Sequence, residues 1–286
     1  ADQFERILAK YGPLTDKFDV VPVKPVYMMT VAERQLFLDC TVPSLDVIVT
    51  QHIGDAYKPS TTENILKCLK LNAEVIYFPS IWFDAHIPDI FWMHAPTGLS
   101  VPIAPATYHS RLIAHGYTEG LSVAEVAERF GSSDFYDPNF LDSTFQSNME
   151  ALSTREKSCD LVCVDFIADG FDSRCMLHTM NHPDISVLFW LMQQLMKILG
   201  VEALPDNLRA KYAHALAEIK WPIAASVREH FAMKFRRDQL ILGGVPVTAA
   251  KFTEMYFEYY RANDALVDAH RQDLRAWFER ATAFRS

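Results

Sequence analysis

The chain has 286 residues, half of them hydrophobic and 22% charged, with a net charge of −9. Such a length and composition describe a globular protein built as one large domain or a domain with a helical extension, and the acidic balance excludes nucleic acid as a main partner, because a phosphate backbone demands a basic face. The five cysteines, at 40, 68, 159, 163 and 175, are odd in number and lack zinc spacing, which fits a reduced, cytoplasmic protein without a metal centre.

Residues 1–11 read as an amphipathic helix with Phe4, Ile7 and Leu8 on one face, ended by Gly12-Pro13. A domain seldom opens in mid-helix, so an element upstream of Ala1 is expected. Residues 20–26 look β-like, and residues 45–50 form a short buried strand by their β-branched run. That strand empties into a polar loop at 51–59, after which Ser60-Thr61-Thr62-Glu63 opens a helix as a capping box. Residues 73–78 are the next strand and empty into Pro79-Ser80-Ile81-Trp82-Phe83-Asp84-Ala85-His86-Ile87-Pro88-Asp89. Strand, helix and strand at this spacing make a βαβ unit, hence a parallel sheet with its ligand edge at the carboxyl ends of the strands. Ser122-Val123-Ala124-Glu125 is a second capping box. Residues 141–170 read as one long helix whose apolar face carries Phe145, Met149, Leu152, Cys159, Cys163 and Phe166, with both cysteines as core packing.

The most apolar stretch, residues 185–199, is too short for a bilayer and reads as a buried central helix; no signal peptide or membrane span is visible. Residues 208–219, 225–235 and 252–284 add further helix. The expected architecture is therefore α/β, with a small parallel sheet in the N-terminal half and a helix-rich C-terminal half. Residues 1–200 form an α/β catalytic-like domain, and residues 201–286 a helical extension packed on it.

The richest chemistry lies in Cys175-Met176-Leu177-His178-Thr179-Met180-Asn181-His182-Pro183-Asp184. Pro183 suits the first position of the apolar helix, which makes Asn181 or His182 its cap. Imidazoles there feel a positive potential, stay neutral and can accept a proton, as a general base must. The alternative is a capped helix whose histidines merely fill polar niches. His178 and His182 are four apart, but the proline argues against one helical face through both, and hence against a metal site. Gln51-His52 leaves a strand at the ligand edge, either to bond a ligand or to satisfy loop backbone. His86 and Asp89 offer an imidazole and a carboxylate that could act as a pair, or a proline turn with an Asp cap. Arg155 could meet a phosphate or pair with an acid on a solvated face. Lys234, Arg236 and Arg237 form the best cationic cluster for an anionic cofactor. No phosphate-binding Gly-Lys loop, dinucleotide Gly-rich loop or Gly-x-Ser-x-Gly elbow occurs.

Four segments together resemble a known family: Val47-Ile48-Val49-Thr50-Gln51-His52-Ile53, Phe78-Pro79-Ser80-Ile81-Trp82-Phe83 with Pro88-Asp89, Leu152-Ser153-Thr154-Arg155-Glu156, and above all His178-Thr179-Met180-Asn181-His182-Pro183 before an apolar helix. The chain is similar there, over roughly residues 1–200, to the WcbI-type polysaccharide biosynthesis acetyltransferases. The resemblance implies an enzyme that binds coenzyme A or acetyl-coenzyme A and moves the acyl group onto a carbohydrate hydroxyl in capsule biosynthesis. His182, Asn181 and His178 would then be catalytic, with His182 as base. Gln51, His52, Ser80 and Arg155 would hold the cofactor, and His86 and Asp89 the substrate. Family members carry a Gly-Asn-Cys-Gln turn just before the first helix, with its cysteine as candidate nucleophile. This chain begins at the helix, and none of its five cysteines matches that motif. Two other readings stand beside it: a Ser/Cys–His esterase or deacetylase, and a non-catalytic coenzyme A or sugar-nucleotide binding module. Expected partners are a small acyl donor and a carbohydrate acceptor, and a second copy of the chain is a further possible partner.

Overall fold

A computed structural model describes residues 2–95, 105 and 108–283. The chain divides into two compact units that interleave in sequence: Ala1–Ile81, Ala151–Phe166 and Ile185–Ala215 form the first, and Trp82–Glu150, Ile167–Asp184 and Leu216–Ser286 the second. Among the described residues no helix is long and apolar enough to cross a membrane.

The first unit contains the βαβ motif. Strands Val47–Thr50 and Glu74–Tyr77 pair in parallel, with Ile48 opposite Val75, and helix Thr62–Cys68 connects them. Ile48 and Ile65 pack with Phe37, Leu38 and Val42 into one apolar cluster. The opening helix, Asp2–Leu8, buries Phe4, Ile7 and Leu8, and the Phe4 ring stacks on Phe78 with centroids 5.1 Å apart. Helix Ile185–Ile198 buries most of its length, as its near-continuous apolar sequence requires.

Several local expectations are corrected. The Thr62–Cys68 helix is capped one residue later than its sequence suggests. Thr61 Oγ1 accepts the Asn64 N–H at 3.3 Å, while Ser60 Oγ donates to the Arg34 carbonyl. Residues 20–26 form no strand; Pro22 and Pro25 remove the N–H donors a ladder needs, and only a short 3-10 turn, Val26–Met28, follows. The long helix expected over 141–170 is two helices, Pro138–Glu156 and Val164–Gly170. The intervening backbone is drawn to the strand edge, where Asp160 and Leu161 N–H groups both donate to the Tyr77 carbonyl. The Glu156 carboxylate then accepts from the N–H groups of Cys163 (2.6 Å) and Val164 (3.1 Å), which opens the second helix. Tertiary hydrogen bonds have outcompeted an apolar periodicity that continues through the break.

The second unit is helix-rich around a core that includes Leu112, Val126, Trp221, Phe252, Tyr256 and Trp277. Helix Val123–Gly131 starts with the capping box expected at Ser122 and Glu125. A three-stranded antiparallel sheet joins Ile219–Lys220, Leu240–Leu242 and Val245–Val247. Its tight turn is Gly243-Gly244, with φ of 55° and 84°, a pair that only glycines adopt without strain. The helices expected over 208–219 and 225–235 are shorter, at Asp206–Lys211 and Ala225–His230. The stretch from 252 onward is three helices, Ala249–Ala262, Asp264–Asp268 and Arg271–Ala281, broken where Asn263 leaves helical geometry at φ −137°.

Candidate functional site

The segment from 175 to 184 is a β-hairpin, not a helix start. Strand Leu177–Thr179 pairs antiparallel with His182–Pro183, placing Leu177 opposite Pro183 and Thr179 opposite His182. Pro183 therefore sits two residues before helix Ile185–Ile198, on a short outer strand where its missing N–H costs nothing. The hairpin is anchored on both sides: Asp184 N–H donates to the Met176 carbonyl (2.8 Å), and Trp221 N–H donates to the His178 carbonyl (2.8 Å). Met180 and Asn181 form its tip, and the Met180 carbonyl accepts the Phe83 N–H at 2.7 Å.

Asn181 and His182 meet a third side chain there. Tyr108 Oη donates to Asn181 Oδ1 at 2.6 Å and lies 3.3 Å from His182 Nε2. Thr179 Oγ1 also donates to Asn181 Oδ1, at 3.3 Å. With its carbonyl oxygen engaged by two hydroxyls, Asn181 keeps its NH2 group as the donor end of the amide. His182 is half-buried, and its Nδ1 is buried without a hydrogen-bond partner. Burial lowers its pKa, with the Glu218 carboxylate opposing, so the ring is held neutral. The neutrality expected from a helix N-terminus is present, but its cause is desolvation.

His178 lies deeper, 3% exposed, with neither ring nitrogen hydrogen-bonded. Burial first, then the Arg237 charge, lowers its pKa to about 4, so the Asp184 carboxylate at 3.7 Å faces a neutral ring. The Arg237 guanidinium donates from Nη1 to the Leu177 carbonyl (3.1 Å) and to Cys175 Sγ (2.7 Å), while its Nε and Nη2 are buried without partners. The cationic cluster at 234–237 is thereby dispersed: Arg237 turns inward, Lys234 pairs with Asp172 and Arg236 with Asp238, each at 2.7 Å. Burial raises the Cys175 pKa despite Arg237, and it raises those of Cys159 and Cys163 as well, so all three are held as thiols.

His86 and Asp89 are 1% and 3% exposed and make separate contacts. The His86 ring stacks on Phe171 with centroids 4.2 Å apart, and its Nε2 bonds the Phe171 carbonyl at 2.9 Å. Burial drives its pKa down to about 3. Asp89 accepts from Ser110 Oγ, the cap of helix Arg111–Thr118, and burial pushes its carboxyl up to about 6.

In the first unit, the carboxyl ends of the parallel strands carry Gln51, His52 and Ser80. Gln51 Nε2 donates to the Pro79 carbonyl (3.0 Å), joining the two strand-end loops. His52 is exposed and lies flat on the half-buried Tyr77 ring, with centroids 4.3 Å apart and planes 10° from parallel; its Nε2 is 3.1 Å from the Ser158 carbonyl. Ser80 is exposed. Arg155 is half-buried near the end of helix Pro138–Glu156, and burial lowers its pKa against the opposing pull of Cys163 and Glu156.

A family model described as polysaccharide biosynthesis enzyme WcbI matches residues 1–204. The chain belongs to this family. A solved structure of WcbI, described as a novel polysaccharide biosynthesis enzyme, aligns with a TM-score of 0.77 and 17% sequence identity, covering 97% of this chain and 94% of that one. That structure is of the native protein without a disulfide bond between coenzyme A and one of its cysteines. At this identity the likeness is one of fold. It extends through the C-terminal residues that the family model leaves unmatched. No curated protein matches the chain.

Two aromatic residues, Tyr108 beside the hairpin tip and Trp92 against Tyr108, carried no signal in the sequence. Tyr108 sits in a stretch without periodicity, and only the pairing of His109–Ser110 with Ile90–Phe91 brings it to Asn181. Trp92 follows the short strand Ile90–Phe91 and packs against Tyr108.

Proposed function

We propose that this member of the WcbI family is a coenzyme A-dependent acyltransferase that esterifies a carbohydrate hydroxyl, with His182 as general base. The observation that carries the reading is the contact of buried Tyr108 with half-buried Asn181 and His182, because it joins a neutral imidazole, a hydroxyl and an amide donor at one hairpin tip. In the Nδ1–H tautomer, His182 Nε2 accepts a proton. The Tyr108 hydroxyl, 3.3 Å away, relays that proton: it takes up the proton of the acceptor hydroxyl as its own, donated to Asn181 Oδ1 at rest, swings to His182 Nε2. The Asn181 NH2 group is the donor available to a carbonyl oxygen. Deeply buried His178 is assigned to holding the hairpin.

Coenzyme A supplies the acyl group as a thioester when bound. Considered by itself, the first unit carries side chains of the kind such a group takes: the flat His52–Tyr77 pair for an aromatic base, Gln51 and Ser80 for polar contacts, and Arg155 for phosphate. Since Cys159, Cys163 and Cys175 are held as thiols, the reading uses a base and none of these three as nucleophile.

The test is His182→Ala, assayed by thiol release from acetyl-coenzyme A with and without sugar acceptors. Acceptor-dependent release should fall by about 10²–10⁴-fold, with the circular dichroism spectrum unchanged. A folded variant with full turnover would refute the role of His182. Release that needs no acceptor would make the protein a thioesterase instead.

A further inference from the structure

A row of aromatic rings leads outward from His182. Tyr108 stands edge-on to the imidazole, with centroids 5.8 Å apart. Trp92 lies nearly parallel to Tyr108 at 6.2 Å and 15°, and Trp82 meets Trp92 edge-to-face at 4.8 Å and 85°. Trp221, fully buried, packs edge-on against Tyr108 at 6.3 Å. The inner members are thus clamped by core, while the outermost, Trp92, is 39% exposed. The exposed His94 ring stands edge-on to Trp92 at 6.5 Å.

An indole left in water beside a polar cluster suits a ligand that is itself two-sided. A pyranose has an apolar face of axial C–H bonds and a rim of hydroxyls. Its C–H face buries against an indole while the rim reaches neighbouring donors and acceptors. Here the ring neighbours are His94 and Tyr108, and Tyr108 in turn bonds Asn181 and lies beside His182. Rings already locked by packing lose little freedom on binding, which favours affinity for a weakly held ligand. An adenine is the other flat ligand that such a ring could take, and coenzyme A affinity in the Trp92 variants distinguishes it from a sugar.

We propose that Trp92, braced by Trp82 and Tyr108, is the platform for the acceptor sugar, stacking a pyranose so that one hydroxyl points toward Tyr108, the ring that stands beside His182. The fate of that hydroxyl rests on the acyltransfer reading above; the binding of the sugar does not.

The test uses the full chain without acyl donor, as wild type, Trp92→Phe and Trp92→Ala. Methyl β-D-glucopyranoside, methyl β-D-galactopyranoside and methyl α-D-mannopyranoside serve as probes in saturation-transfer NMR, with coenzyme A affinity measured by calorimetry. At least one glycoside should receive saturation mainly on the protons of one ring face. Its affinity should fall by about tenfold in Trp92→Ala, as expected for truncating an aromatic anchor, and by less in Trp92→Phe, with coenzyme A affinity unchanged in both. Failure of all three glycosides to bind the wild type, or equal binding by Trp92→Ala, overturns the proposal. Loss of coenzyme A affinity in Trp92→Ala also overturns it, by assigning the ring to adenine. If the glycoside binds as described and no acyl transfer occurs, the platform stands and the transfer reading fails.

Discussion

Replacing His86 with phenylalanine should flatten the acid sensitivity of folding. His86 is enclosed by Phe83, Phe171 and Phe235, 1% exposed, with Nδ1 unpartnered, and its pKa falls from 6.5 to about 3. A folded pKa below the unfolded one gives stability that is fully present above the unfolded value and is lost as pH falls toward the folded value. Between about pH 7 and pH 5 the unfolded imidazole takes up its proton while the folded one does not. Each pH unit below 6.5 then costs about 1.4 kcal/mol, so by pH 5 the site has cost about 2 kcal/mol. Phenylalanine keeps the stack on Phe171 and cannot titrate. It loses the hydrogen bond to the Phe171 carbonyl, which costs about 1–3 kcal/mol at neutral pH. Urea unfolding at the two pH values should therefore show His86→Phe less stable than wild type at pH 7, with the gap narrowed or reversed at pH 5. Equal losses of stability on acidification in the two proteins would refute the reasoning. His109, His115 and His178, each lowered to about 4 chiefly by burial, add to the wild-type acid sensitivity and are common to both proteins.

Asp89 has the opposite sign: its folded pKa is raised to about 6, so its contribution is present below the unfolded value near 3.8 and is lost as pH rises through 6. Asp89→Asn should accordingly gain stability relative to wild type between pH 5 and pH 8 in thermal melts, and a constant difference across that range would contradict the buried, raised carboxyl. Tyr108→Phe removes the hydroxyl that bridges Asn181 and His182, so acceptor-dependent turnover should drop by roughly 10–100-fold while coenzyme A affinity by calorimetry holds; unchanged turnover would remove Tyr108 from the proton path. Gly116→Ala places a methyl group against Val126 Cγ2, a fully buried and stiff side chain where two helices meet, and should cost about 1–3 kcal/mol in urea unfolding. An unperturbed midpoint would mean that this helix pair has slack.

Much of the candidate site was legible in sequence as a set of residues, and little of it as geometry. Asn181 and His182 stood out because two polar, proton-handling side chains bordered an apolar helix. Their partner Tyr108 lies more than seventy positions away, and no local pattern predicts a contact that a two-residue antiparallel pairing creates. His86 and Asp89 read as a reactive pair because three positions separate them. The structure sends one into an aromatic cage and the other to a helix cap, an outcome set by packing.

The amino-acid sequence by itself determined the parallel βαβ motif, the opening helix, the buried helix after Pro183 and the second capping box. Each rests on interactions within a few residues: β-branched runs, an amphipathic period, a side chain capping the next turn. The tertiary structure alone decided that 175–184 is a hairpin, that the helix after 138 breaks at Glu156, and that desolvation holds His182 neutral. In each case the deciding groups are remote in sequence. The Trp221 N–H fixes one edge of the hairpin, the Tyr77 carbonyl draws the broken helix to the strand, and Tyr108 closes over the imidazole. Buried backbone and side-chain polar groups must find partners wherever the fold places them, and that demand overrides local preference.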